Sequence, residues 1–150
     1  MKTLKTVTII LLIVAMLPIY GHATADTKSE IIHFDDGSYI VIEISFLDER
    51  ASATRTATKT YRYYNALGTE KWYVTLIGKF TYDGTTSTCM SSNTSIGILD
   101  SAWYIISNTY STSGNSAIGN VTMGYKILGV TTDRKNVNIS ITCDANGNLS

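Results

Sequence analysis

Beyond position 25 the side chains best suited to catalysis or metal binding are few: one histidine (His33), two cysteines (Cys89 and Cys143) and some clustered carboxylates. His33 stands beside Phe34, and no serine or cysteine motif offers it a partner, so it reads as a strand histidine rather than a general base. A structural zinc needs about four His, Cys or carboxylate ligands, which one histidine and two cysteines do not make. Asp35-Asp36, Asp48-Glu49 and Asp100 are residue types that glycoside hydrolysis uses. Asp35-Asp36-Gly37, however, has the composition of a turn, and Asp48-Glu49 that of a solvated loop. Asp144-Ala145-Asn146-Gly147-Asn148 has a faint calcium-loop look but lacks the distal glutamate, so a polar turn is expected. No catalytic residue, metal or cofactor is assigned, and the chain is read as non-enzymatic.

Tyrosine is the unusual abundance, with ten in the chain. Tyr63, Tyr64, Tyr73, Tyr104 and Tyr110 are the candidates for a binding surface. Neighbours such as Tyr63-Tyr64 and Trp72-Tyr73 must point to opposite faces of a strand, so some rings are expected at the surface. Rigid amphipathic rings there suit contact with protein or sugar.

The elements that would position these residues are strands. Thr, Ser, Tyr, Ile and Val are abundant, turns recur at short intervals, and nothing after position 25 carries an apolar stripe at helical period. Ile31 to Phe46 reads as a hairpin turning at Asp36-Gly37. Its return strand, Tyr39 to Ile44, is apolar on both faces and must be covered or adhere to something. Ala51 to Lys59 reads as a linker running into a polar strand. Thr60 to Tyr64 turns through Asn65-Ala66-Leu67-Gly68 into Lys71 to Tyr82, where Trp72, Val74, Leu76, Phe80 and Tyr82 share one face. A two-residue turn at Asp83-Gly84 would set Cys89 opposite Gly78, whose missing side chain leaves room for the sulfur. Val137, Ile139, Ile141 and Cys143 share a face in the last strand. About eight strands in all predict an all-β, antiparallel immunoglobulin-like β-sandwich with an additional N-terminal β-hairpin.

The first 25 residues read as a secretory signal peptide. Lys2 and Lys5 give the positive region, Val7 to Leu17 the apolar one, and Ala23-Thr24-Ala25 the cleavage pattern, with processing between Ala25 and Asp26. The apolar run falls short of the roughly 20 residues that span a bilayer, so no stable membrane anchor is expected after cleavage. Three regions follow: signal 1–25, an acidic hairpin segment 26–50, and a β-sandwich domain 51–150. Without Lys2 and Lys5, ten basic residues face twelve acidic ones, a balance that excludes nucleic acid as a partner. Asp26 to Glu49 is acidic and Arg50 to Lys79 basic, so neighbouring surfaces of opposite charge are expected. In an oxidising compartment an even pair of cysteines reads as a disulfide, Cys89–Cys143.

With those residues laid out, the region from about Thr58 onward resembles small secreted, disulfide-containing proteins of Gram-positive bacteria of the clostridial kind. The string that carries the resemblance is Tyr63-Tyr64-Asn65-Ala66-Leu67-Gly68, Trp72, Gly78-Lys79-Phe80-Thr81-Tyr82-Asp83-Gly84 and Cys89. Trp103, Gly114-Asn115 and Cys143-Asp144-Ala145-Asn146-Gly147 continue it. The resemblance implies export and a disulfide-closed β domain, and brings no activity or catalytic residue. The functional expectation is an extracellular, non-enzymatic binding module for a protein or glycan. The alternative is a bacteriocin-like or membrane-active antagonist that uses the apolar strand Tyr39 to Ile44.

Overall fold

The computed structural model describes residues 26–48 and 53–150. The signal-peptide reading through Ala25, the Glu49 half of the Asp48-Glu49 loop and the first two residues of the expected linker, Ala51 and Ser52, lie outside the described residues. The described residues form eight strands: β1 (Asp26–His33), β2 (Tyr39–Asp48), β3 (Thr54–Tyr64), β4 (Glu70–Tyr82), β5 (Ser87–Ile98), β6 (Trp103–Ser113), β7 (Ser116–Ile127) and β8 (Val130–Thr142). They form two antiparallel sheets, β1-β2-β3-β4-β5 and β6-β7-β8, and there is no helix among the described residues.

Alternation builds the core. Along β4, Trp72, Val74, Leu76 and Phe80 are fully buried, one face of a period-two pattern. Ala117, Val121 and Met123 on β7 and Val137, Ile139 and Ile141 on β8 join them in one cluster. Every hydrogen-bonded neighbour in both sheets is a sequence neighbour. This is a meander, without the Greek-key crossovers that define immunoglobulin connectivity.

The acidic segment is part of the larger sheet rather than an appendage. β2 pairs with β3 from Tyr39–Tyr64 to Asp48–Arg55, which sends Ile40 and Ile42 into the core, 9% and 6% exposed, and leaves Val41 on the other face. The strand begun by Ala51 to Lys59 is longer than its composition suggested. Thr56, Thr58 and Thr60 alternate outward while Ala57 is fully buried. The outward threonines bond across the sheet, Thr58 to Ser45 at 2.8 Å and Thr60 to Thr75 at 2.9 Å. β-branched residues at alternate positions make a strand even when half of them are polar.

Two expectations about the cysteines are corrected. The β4–β5 connection is a four-residue turn, 83–86, not two. The Asp83 carboxylate accepts from the backbone N–H groups of Thr85 and Thr86 at 2.9 and 2.7 Å, and those bonds hold its pKa below the usual carboxylate range. Cys89 therefore faces Phe80, and Gly78 faces Ser92 after a bulge. Gly78 is still required by packing, because a Cβ there would lie 2.7 Å from the Phe80 ring and 3.0 Å from Ala117. Nor is the Cys89–Cys143 disulfide formed; both are buried thiols. Each sulfur turns to a nearby carbonyl on its own segment, Cys89 to Ser91 at 3.4 Å and Cys143 to Asp144 at 3.5 Å. Burial raises the pKa of both thiols. The β6–β7 turn ties the two backbones together, since Cys89 N–H donates to Gly114 and Cys143 N–H to Asn115.

Candidate functional site

Four connections gather at one end of the molecule: 34–38, 65–69, 99–102 and 128–129. Each has a local cause. Asn65 turns the chain by accepting from the N–H groups of Leu67 and Thr69 at 3.2 and 2.9 Å, and Gly68 supplies the positive φ of +75° that closes the turn. Asp100 does the same with Ala102 N–H at 2.9 Å, which sets Trp103 at the start of β6. Leu99 N–H donates to Lys71 O at 2.9 Å and Lys126 N–H to Ala102 O at 2.9 Å, so the connection between the two sheets is anchored to β4 at its start and to β7 at its end.

Below the turns lies an aromatic cluster. Tyr63 stacks on Trp72 with centroids 5.1 Å apart, and Trp103 meets both edge-on at 5.2 and 5.8 Å. Tyr125 leans on Trp103 at 5.1 Å. Tyr63, Trp103 and Tyr125 wall a cleft of about 220 Å³ together with Asn65, Lys71, Asp100 and Asp133. Its charges come as two neutral pairs. Lys71 meets Asp100 at 2.9 Å, and Lys135, just outside the lining, meets Asp133 at 3.2 Å. Lys135 also lies over the rings of Phe34 and Tyr63 at 5.4 and 5.9 Å. The Ala102 N–H and Lys71 hold the Asp100 carboxyl below the usual carboxylate range.

Two other hollows are larger but chemically plainer. One of about 320 Å³ at the opposite end is lined mostly by small and hydroxyl side chains around Asp83, whose carboxylate is committed to its own turn. A groove of about 430 Å³ runs over the inner face of β1–β3 beside Ile32, Ile42, Ile44 and Tyr61. Among the described residues no three His, Cys, Asp or Glu side chains converge as a metal site would need. Asp144 forms a polar turn, accepting from the N–H groups of Asn146 and Asn148 at 2.8 Å each.

The five tyrosines expected as a surface do not share one. Tyr63 is buried in the core, 5% exposed, and reaches the cleft from inside. Tyr64 stacks on Tyr39 at 4.9 Å on the outer face of the larger sheet, and Tyr73 lies there too, against Arg62 at 5.2 Å and over Gly97. Tyr104 covers Gly124 on the smaller sheet and bonds to Thr131, while Tyr110 is exposed. His33 is exposed and sits 5.5 Å from the Tyr39 ring. Sequence reasoning places Asp100 among the carboxylates but gives no site to Lys71, Trp103, Tyr125 or Asp133, because the five come from separate elements, β4, the β5–β6 connection, β6, β7 and β8, and only short neighbourhoods such as Lys71-Trp72 and Tyr125-Lys126 put charge beside aromatic in the chain. Comparison with protein-family models, with curated proteins and with solved structures gave no match.

Proposed function

We propose that this protein is an exported, non-enzymatic binding module whose two β layers form a sandwich that carries a recognition site at one end. The partner is an extracellular protein or glycan, and the chemistry of the cleft favours glycan. The observation that carries this is the cleft walled by Tyr63, Trp103 and Tyr125 with neutral Lys71–Asp100 and Lys135–Asp133 pairs at its rim. Rings suit the C–H face of a sugar, and alternating ammonium and carboxylate groups suit its hydroxyls. The same geometry argues against hydrolysis. A general acid needs a raised pKa, whereas Asp100 is held low by its partners. The antagonist reading would require release of the strand Tyr39 to Ile44 from the fold, where it lies between β1 and β3 with Ile40 and Ile42 buried.

The test is a glycan array probed with the purified protein, followed by titration of any hit against Lys71→Ala and Asp133→Ala. Both changes are expected to weaken binding without unfolding the chain, since both side chains lie at the cleft rim. Binding that both variants leave intact would place the site elsewhere.

A further inference from the structure

Four strands end a sheet: β1 and β5 in the larger, β6 and β8 in the smaller. Three of them carry an extra residue where the register slips, Met90 in β5, Ile106 in β6 and Thr132 in β8. Such bulges twist an edge away from an incoming strand. Two of these edges are also occupied by bonds from elsewhere in the chain. Cys89 N–H donates to Gly114 O, and Lys59 Nζ donates to Ser140 O at 3.2 Å. Among the described residues nothing gives β1 this protection. All eight of its residues pair with β2 in unbroken register, it contains no proline, and Lys28 to His33 are exposed, Ile31 at 56% and Ile32 at 42%.

The free backbone groups can be assigned. Phe34 N–H donates to Ser38 O at 2.9 Å in the turn. Counting back through antiparallel alternation, Ile32, Glu30 and Lys28 bond to β2, while Thr27, Ser29 and Ile31 direct N–H and C=O off the sheet.

We propose that this edge pairs with the same edge of a second copy, antiparallel about a two-fold axis at Ser29. The outward groups of Ser29 then meet those of the partner's Ser29, and Ile31 meets the partner's Thr27. Lys28 stands opposite the partner's Glu30, and Glu30 opposite the partner's Lys28. Both fall at non-hydrogen-bonded positions, where facing side chains approach most closely. Moving the axis to Glu30 sets that carboxylate against the partner's Glu30; moving it to Ile31 sets Glu30 against the partner's Ile32. Only the Ser29 register gives both charges a complement. The contact is isologous and closes at two copies. The inner-face grooves over β1–β3 lie on the same side of the joined sheet and meet at the axis.

Sedimentation of the purified protein tests this with four chains: unchanged, Lys28→Glu, Glu30→Lys, and the double exchange. The unchanged chain is expected to shift from monomer to dimer with concentration, more weakly at high salt. Each single reversal turns two attractions into repulsions and should weaken the dimer by about ten- to a hundredfold. The double exchange should restore it, and an equimolar mixture of the two single variants should form the heterodimer. Both positions are exposed, and equal thermal midpoints at monomeric concentration check that the variants fold. A wild-type chain that stays monomeric, single reversals that leave dimerisation unchanged, or a double exchange that fails to restore it would each overturn the proposal.

Discussion

Trp72 offers a quantitative test of how the aromatic cluster is held together. Its side chain is fully buried, stacked on Tyr63, and its indole N–H has no hydrogen-bond partner among the described residues. A desolvated, unsatisfied donor costs about 1–3 kcal/mol. Replacing Trp72 by Phe removes that donor and keeps a ring against Tyr63, but loses two buried carbons besides the nitrogen, roughly 1.6 kcal/mol at about 0.8 per buried carbon. The two effects nearly cancel, so Trp72→Phe is expected to lie within about 1 kcal/mol of the unchanged chain. Trp72→Ala, which forfeits the stack and leaves a cavity, should cost about 3–5 kcal/mol. Urea denaturation measures both, provided the slope against denaturant is unchanged. A loss of 3 kcal/mol or more in Trp72→Phe, on the scale of a full truncation, would show that the indole N–H is bonded and would falsify the accounting. The variant also leaves Trp103 as the sole tryptophan of a chain that has two, a fluorescent reporter on the cleft wall.

Three further outcomes are expected. Gly78→Ala should destabilise by about 1–3 kcal/mol through overpacking, because its Cβ would press on the Phe80 ring and Ala117; unaltered stability in the same urea assay would mean the ring can yield. Ile42→Ala should cost about 2–5 kcal/mol if the acidic segment is integral to the core, and a cost under about 1 kcal/mol would mark β1–β2 as loosely attached. The Asp100 carboxyl is held below its ordinary value of 3.8 by the Ala102 N–H and Lys71, so its contribution is complete above that value and is lost as the pH falls through the lower, folded value. Asp100→Asn should therefore flatten the acid side of the stability profile, and identical profiles below pH 4 would refute that assignment.

Much of the strand framework is written in the chain, and the reasons are local. The alternation Trp72, Val74, Leu76 and the pair Asp36-Gly37 each specify their structure within a few residues. What fails is register. The Asp83 carboxylate bonds to two backbone N–H groups of its own turn, which lengthens the turn and moves Cys89 from Gly78 to Phe80. A propensity reading sees Asp-Gly and expects the shorter loop. The cleft was hidden for a different reason. Lys71 stands near the start of β4, Asp100 in the β5–β6 connection and Asp133 in β8, and only strand order brings them within one hollow. Tyr63 reads locally as a surface tyrosine; its burial depends on the smaller sheet packing across it, which no local pattern reveals.

The meander order has a kinetic consequence. Because every strand within a sheet pairs with the one before it, sheet formation proceeds by closing short loops, each a small entropic step compared with the long closures of a Greek key. Hairpins can form in microseconds and extend strand by strand, leaving docking of the two sheets on the Trp72–Trp103 contact as the late, cooperative event. A chain ordered this way should fold faster than a crossover sandwich of equal size, and substitutions in the shared core should mainly speed unfolding rather than slow folding.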